Sequence, residues 1–281
     1  MKYGLYLPNF GAFGEARALV ELAVLGERAG WDGFFIWDHV ARPASPPVVD
    51  PWIALAAVAA ATERVRIGAL VTPLARRRPW KVARETVSLD RLANGRLIFG
   101  AGLGSPGGAD AEWAAFGEEM DLARRGEMLD EALAVLAGLW SGERFSFAGT
   151  HFGVRDACFR PTALQTPRIP VWIAAYWPHL RPLRRAAGWD GLFALFPDGP
   201  PRDVEQLAEA VAYVGARRAP DAPPFEVVCA GAPNGDSAAY ARAGATWWLA
   251  RIAPDAFGSD WAAPWPLEKM RAFIAAGPAR S

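Results

Sequence analysis

The chain is poor in the residues that build disulfide frameworks and metal sites, and neither sign of charge is in excess. Its 281 residues include only two cysteines, Cys158 and Cys229, which form no C-x-x-C pair. A disulfide framework or a zinc site of known spacing is therefore not expected. Lys plus Arg and Asp plus Glu both number 30, so the sequence offers no basic surface for nucleic acid.

Long apolar runs are also missing. The run 52–61 has about ten residues, too few to cross a bilayer. The first residues lack the apolar stretch and cleavage site of a signal peptide, so we expect a cytoplasmic protein with no membrane partner. Apolar residues still make up 52% of the chain, enough for a large core. We expect one barrel domain over residues 1–281.

What the sequence does contain is a repeated unit, in which a short β-rich run precedes a segment of helical periodicity. In the first half the runs begin about 31 residues apart, the size of one β/α unit. The predicted strands are 2–7, 33–37, 65–71, 96–101, 171–174, 191–194, 225–229 and 245–249. The predicted helices are 15–29, 51–62, 79–92, 121–140, 180–187, 202–217, 237–243 and 267–276. Eight alternating units predict an α/β fold, a (β/α)8 TIM barrel.

The middle of the chain departs from this rhythm and predicts insertions after strand four and in loops. A glycine-rich stretch, 102–108, is followed by the long helix, and 145–154 is typical of a small hairpin. A doubly wound open sheet is the alternative fold. It would need a G-x-G-x-x-G loop after the first strand, and residues 8–14 lack that pattern.

In a barrel of this kind the catalytic groups lie where strands end and loops begin. His39 is the most informative candidate, because it follows the second strand directly and is one of only three histidines. An imidazole there can donate or accept a proton near neutral pH. The alternative is a structural His39 that pairs with Asp38 and closes the loop. No set of His, Asp and Glu has the spacing of a metal site, so no metal is expected.

Two further features lie in the predicted loops. Aromatic residues are frequent there, namely Phe10, Phe13, Trp37, Trp113, Phe116, Tyr176, Trp177 and Phe196. Two interpretations are about equally favoured: these residues bind a flat aromatic ligand, or they only cover the rim of the barrel. The basic run Arg76-Arg77-Arg78 could hold a phosphate or acidic tail. We favour a solvated loop.

Nine short stretches carry a family resemblance over nearly the whole chain. They are 4–8, 29–33, 37–39, 66–73, 79–92, 94–102, 125–133, 170–174 and 243–248. In this order and spacing they resemble the bacterial luciferase-like monooxygenase superfamily, which includes the deazaflavin (coenzyme F-420)-dependent oxidoreductases.

The resemblance implies a barrel that binds FMN or the deazaflavin coenzyme F-420 at its C-terminal mouth, and a homodimer. It implies a bulge near 69–71, often with a non-proline cis peptide, that supports the cofactor ring. It also implies that His39 faces this ring as the catalytic residue. Together, the strand ends and the resemblance give these cofactor-binding candidates: Asn9, Asp38, Ala69, Leu70, Thr72, Gly104, Ser105, Ala174 and Ala175.

Two positions depart from the family pattern. Members often have paired glycines after strand five, whose backbone N–H groups take the cofactor phosphate. Here the pair is Ala174-Ala175, which makes close approach harder. Ser105 stands where the sugar-phosphate-oxidising deazaflavin members have a carboxylate, so that substrate class is disfavoured.

Three functional hypotheses follow. The first is a deazaflavin-dependent oxidoreductase, in which hydride moves between the cofactor and a small organic substrate and His39 donates or accepts a proton. The second is an FMN-dependent monooxygenase that takes reduced flavin from a separate flavin reductase. The third is a non-catalytic barrel that has lost or weakened cofactor binding, as Ala174-Ala175 would suggest.

Overall fold

A computed structural model of the protein describes residues 1–44, 46–104, 110–197 and 202–280. Its strands are β1 (Lys2–Leu7), β2 (Gly33–Ile36), β3 (Arg66–Ala69), β4 (Thr72–Pro73), β5 (Phe99–Gly102), β6 (Phe145–Ala148), β7 (Gly153–Ala157), β8 (Val171–Tyr176), β9 (Gly191–Leu195), β10 (Glu226–Gly231) and β11 (Trp247–Arg251). Nine strands form one parallel sheet in the order β3-β2-β1-β11-β10-β9-β8-β5-β4. β6 and β7 form a separate antiparallel hairpin.

The sheet closes on itself where β3 meets the start of β5. Ile67 of β3 pairs with Leu97, and the Ile98 N–H donates to the Ile67 carbonyl at 2.8 Å. β4 follows β3 after two residues and pairs with β5. β3 and β4 together therefore make the third of eight barrel strands, and the predicted (β/α)8 barrel is confirmed.

Helices cover the outside of the sheet. They are α1 (Ala16–Arg28), α2 (Pro51–Ala61), α3 (Pro79–Leu92), α4 (Asp110–Ala115), α5 (Leu122–Trp140), α6 (Leu180–Ala187), α7 (Arg202–Gly215), α8 (Ser237–Arg242) and α9 (Leu267–Ala276). The predicted start of α2 is confirmed, because Asp50 accepts hydrogen bonds from the backbone N–H groups of Trp52 and Ile53, each at 2.9 Å. α4, α5 and the β6–β7 hairpin lie between β5 and β8, which is the predicted insertion after strand four.

Alternation of side chains along the strands separates two apolar cores. The larger one lies between the sheet and the helices. The smaller one fills the barrel with Phe35, Leu70, Ile98, Trp172, Phe193, Val228, Trp247 and Leu249. Five half-buried residues near the carboxyl ends of their strands pack on this inner core: Tyr6, Val71, Ala174, Leu195 and Ala230. We call these five residues the mouth floor.

Five predicted strands have bounds that are wrong by two residues or more. The third strand was expected as one run, 65–71, and is instead interrupted between β3 and β4. The fourth begins at Phe99, because 96–98 pair with β3 only at an isolated bridge. The fifth continues to Tyr176, two residues past its predicted end. The seventh, predicted as 225–229, is β10 and ends two residues later. The eighth, predicted as 245–249, is β11 and begins and ends two residues later.

No helix within the described ranges is both long and apolar enough to cross a membrane.

Candidate active site

The backbone of His39 is fixed at the barrel mouth by Asn9, which follows β1. Asn9 is fully buried, and its Nδ2 donates to the carbonyls of His39 and Val49, each at 2.8 Å. Its Oδ1 accepts the His39 N–H at 3.1 Å. The Asn9 amide is thus engaged on both sides, and it joins the loop after β1 to the loop after β2.

Asp38 neutralises two of the three consecutive arginines. Its buried carboxylate accepts from Arg77 Nη2 at 2.6 and 2.8 Å and from Arg76 Nη2 at 3.1 Å. The side chains of Arg76 and Arg77 are only 6% and 15% exposed. The solvated loop that we favoured for this basic run is therefore wrong for these two residues, which are held by buried acids.

His39 pairs with Glu112 of α4, and not with Asp38. His39 Nδ1 lies 2.9 Å from Glu112 Oε2, and the two side chains are 14% and 1% exposed. Glu112 Oε1 accepts from the backbone N–H groups of Val40 at 2.5 Å and Ala41 at 3.2 Å, and from Arg76 Nη1 at 2.8 Å. Both carboxylate oxygens are therefore held, and the position of His39 is coupled to that of α4.

Glu112 is ionised although it is buried. Burial on its own would raise the pKa of this carboxyl group. The hydrogen bonds from His39 and from the Val40 N–H, together with the charge of Arg76, outweigh burial and lower the pKa from 4.5 to about 2. The site thus keeps a fixed negative charge next to an imidazole at neutral pH.

Trp113, the residue after Glu112, packs between two arginines beside the mouth. The ring of Trp113 is buried between the guanidinium groups of Arg76, 5.5 Å from the ring centroid, and Arg125, at 3.5 Å. Gly104 has φ +85°, and a Cβ added there would lie 2.6 Å from the Trp113 ring. Gly104 therefore allows the chain after β5 to pass close to Trp113. A cleft of about 330 Å³ lies beside Glu112 and is lined partly by Arg76, Arg77 and Phe116.

A bulge in the third barrel strand also contributes to the site. The Leu70–Val71 peptide is cis, which confirms the non-proline cis peptide that the family resemblance implied. The Tyr6 hydroxyl donates to the Leu70 carbonyl at 2.7 Å. Burial raises the pKa of Tyr6 above its ordinary value, so the hydroxyl keeps its proton and continues to donate. Ala69 and Leu70 are each 1% exposed, which leaves Val71 as the bulge side chain in the mouth floor.

The two alanines of β8 have different surroundings. Ala174 belongs to the mouth floor, whereas Ala175 is buried in the outer core against the helices. Both pair with β9, opposite Phe193 and Ala194. The strand ends at Tyr176, which pairs with Leu195 and is 39% exposed.

Aromatic rings form one wall of the mouth. Phe10 stacks on Trp261 at 5.6 Å, and its ring lies 5.8 Å from Trp37 and 5.5 Å from His39. Trp265 packs against both Phe10 and Trp261. We call Phe10, Trp37, Trp261 and Trp265 the aromatic wall. Trp37 Nε1 is buried with no hydrogen-bond partner in the described part of the chain, so the wall has a free donor.

Sequence reasoning located some of these residues and missed others. His39, Asn9, Asp38, Leu70 and Ala174 do meet at the mouth. Thr72 is fully buried, and its Oγ1 has no partner in the described ranges; it pairs with Ala101, which belongs to the outer core. Ser105 lies outside the described residues.

Glu112, Tyr6 and Trp261 were missed. The available signal for Glu112 was weak: it is an acid beside a tryptophan, soon after the glycines that follow strand four. Among the described residues, no cluster of three or more His, Cys, Asp or Glu could hold a metal ion.

Known proteins resemble this chain along nearly its whole length. A family model described as luciferase-like monooxygenase matches residues 1–272. An F-420-dependent glucose-6-phosphate dehydrogenase from Beutenbergia cavernae is 34% identical over 72% of this chain and 59% of its own length. A similar enzyme from Rhodococcus erythropolis is 33% identical over 72% of this chain and 59% of its own length. The chain thus matches about three fifths of these curated relatives.

Solved structures share the fold. A monooxygenase from Streptomyces bottropensis has a TM-score of 0.69 at 25% identity, covering 87% of this chain and 75% of that one. The coenzyme F-420-dependent tetrahydromethanopterin reductase of Methanopyrus kandleri has a TM-score of 0.74 at 15% identity, covering 98% and 97%. The second likeness concerns the fold alone.

Proposed function

The chain belongs to the luciferase-like monooxygenase family, and on this premise we propose that it is an oxidoreductase that binds a flavin or deazaflavin at the barrel mouth. Its substrate would be a small organic molecule that is oxidised or reduced there. The observation that carries the proposal is the position of His39, which lies between the aromatic wall and a buried carboxylate at the catalytic face of the barrel.

The residues at the mouth fit a flat, largely apolar ring. The mouth floor offers apolar contacts, and two of its five members are alanines, which leave room above the inner core. The aromatic wall can pack against such a ring, and Trp37 Nε1 is a buried donor that lacks a partner in the described residues. A buried donor without a partner is costly, so a polar edge on the ligand would be stabilising at this point.

When bound, the cofactor would supply a ring that carries hydride or electrons, and the protein would orient it and exclude water. The His39 imidazole can hold or deliver a proton at the mouth. Asn9 fixes the backbone of His39, and the Tyr6 hydroxyl fixes the Leu70 carbonyl at the bulge. With FMN, we would expect a separate reductase to supply reduced flavin.

The substrate of the named relatives is not part of this proposal. Those relatives are glucose-6-phosphate dehydrogenases by name. In this chain Ser105 replaces the carboxylate that sugar-phosphate-oxidising members carry, and Arg76 and Arg77 are already paired with Asp38 and Glu112.

Titration of the purified protein with coenzyme F-420 and, separately, with FMN tests the proposal. Binding would be followed by cofactor fluorescence in the wild type and in Ala174→Leu, which adds bulk to the mouth floor. We expect the wild type to bind at least one cofactor, and Ala174→Leu to bind it at least about tenfold more weakly, a loss of roughly 1.4 kcal/mol.

The matched control is Ala208→Leu, the same substitution at an exposed position of α7, and it should bind like the wild type. Thermal unfolding of each variant checks that the fold is intact. Failure of the folded wild type to bind either cofactor would overturn the proposal, and so would equal binding by Ala174→Leu.

A further inference from the structure

The two nitrogens of the His39 ring are not equivalent. Nδ1 lies 2.9 Å from Glu112 Oε2, so this carboxylate occupies one side of the ring. Nε2 is left as the nitrogen for any other partner at the mouth. In a neutral imidazole only one nitrogen carries the proton, and the groups that face the two nitrogens decide which one.

We propose that Glu112 is a positioning residue, which keeps the proton of neutral His39 on Nδ1 and thereby presents Nε2 as the proton acceptor at the mouth. The inference deepens the proposed function. It rests on that function only where it assigns Nε2 the role of proton acceptor. The tautomer itself is a property of this chain alone. Glu112 acts through His39, so it would not need to touch substrate or cofactor.

The Glu112 carboxylate is well suited to this task because its hydrogen bonds fix its orientation. Its Oε1 is held by the Val40 and Ala41 N–H groups and by Arg76, so Oε2 is the oxygen left for His39. An ionised carboxylate accepts hydrogen bonds and donates none. The hydrogen between Oε2 and Nδ1 must therefore belong to the imidazole.

Two acids and two arginines lie close together beside the His39 ring. Asp38 and Glu112 contribute two negative charges, and Arg76 and Arg77 contribute two positive charges that face them directly. Arg42 stacks on the far aromatic neighbour, Phe10, at 4.9 Å. The two acids and the two arginines therefore balance each other within the buried cluster.

A second histidine provides an internal contrast. His151, in the loop of the β6–β7 hairpin, places Nε2, and not Nδ1, 3.3 Å from Glu127 Oε2. Its backbone is held by Glu131, which accepts from the N–H groups of Thr150, His151 and Phe152. Glu131 is therefore a carboxylate that organises a loop next to a histidine, as Glu112 does, without contacting its ring in the described structure.

Nitrogen-15 NMR of histidine-labelled protein tests the inference, since the chain has only three histidines. The spectra would be recorded without cofactor at a pH where the rings are neutral. In the wild type we expect His39 to show a protonated Nδ1 and a bare Nε2. Glu112→Gln should shift His39 towards the tautomer protonated at Nε2, because the donors of Val40, Ala41 and Arg76 hold the amide oxygen and leave its NH2 group to face Nδ1.

Glu131→Gln is the matched control and should leave the His39 signals unchanged. A wild-type His39 protonated at Nε2 would overturn the inference, and so would an unchanged tautomer in folded Glu112→Gln. If Glu112→Gln fails to fold, the wild-type spectrum alone tests the inference, because it shows which ring nitrogen of His39 carries the proton. The two proposals can fail separately, because the spectra are recorded without cofactor. A protein that binds neither FMN nor F-420 but has His39 protonated at Nδ1 would contradict the proposed function and support this inference.

Discussion

At the residue scale, the site depends on one buried carboxylate whose charge is maintained by its neighbours. Glu112 is 1% exposed in its side chain, and burial disfavours a charge. Two backbone N–H groups, one guanidinium and one imidazole offset that penalty. The same contacts tie α4 to the loop after β2, so the ionisation of Glu112 also stabilises the fold.

The ionisation of Glu112 predicts how stability depends on pH. Its folded pKa of about 2 lies below the ordinary 4.5, so its ionised form contributes stability above about pH 4.5, and this contribution is lost as the pH falls towards 2. Glu112→Gln should lower the free energy of unfolding by about 3 kcal/mol at pH 7. The difference from the wild type should be clearly smaller at pH 3. Urea unfolding at both pH values measures it.

Glu143→Gln is the control for this prediction, because Glu143 is exposed. It should change the free energy of unfolding by less than about 0.5 kcal/mol at either pH. A Glu112→Gln deficit of the same size at pH 7 and pH 3 would show that Glu112 is not held as an ion.

The same residues show how far the site could be predicted from the sequence. His39 was found because a rare residue type follows a strand at the catalytic end of a barrel. Its partner Glu112 is 73 positions away, and no local pattern links the two. The alternative in which His39 pairs with its neighbour Asp38 is wrong, because Asp38 pairs with Arg76 and Arg77 instead.

At the scale of elements, helices were predicted better than strand ends, for a physical reason. Helix ends are marked by local chemistry, such as the Asp50 cap and Pro51 at the start of α2, and the predicted bounds of α3, α6 and α9 match the structure. A strand ends where its neighbour ends, which is set by pairing across the sheet. β8 runs to Tyr176 because β9 continues beside it to Leu195, and the third strand is interrupted by a bulge that apolar periodicity does not reveal.

At the scale of the whole molecule, the barrel depends on close contact at its closing seam. Gly68 of β3 lies against the backbone carbonyl of Ile98, and a Cβ added to Gly68 would overlap that oxygen. The adjacent Ile98 N–H donates to the Ile67 carbonyl at 2.8 Å. The absence of a side chain at Gly68 therefore allows β3 to reach the segment before β5.

Gly68→Ala should consequently destabilise the barrel, by about 1–3 kcal/mol, as expected for overpacking. Gly215→Ala makes the same change at the end of α7, where an added Cβ would meet no atom within 4 Å, and should be neutral or slightly stabilising. Urea unfolding of both variants measures the effect. Equal stabilities for the two would contradict the steric account of the seam.

The most direct test of the central claim is whether the cofactor binds next to His39. Histidine-labelled protein would be titrated with coenzyme F-420 and with FMN, and the ring nitrogen signals of the three histidines would be followed. We predict that the cofactor that binds shifts the His39 signals, while those of His151, in the loop of the β6–β7 hairpin, stay unchanged. Saturating binding that leaves His39 unchanged, or no binding of either cofactor, would contradict the account.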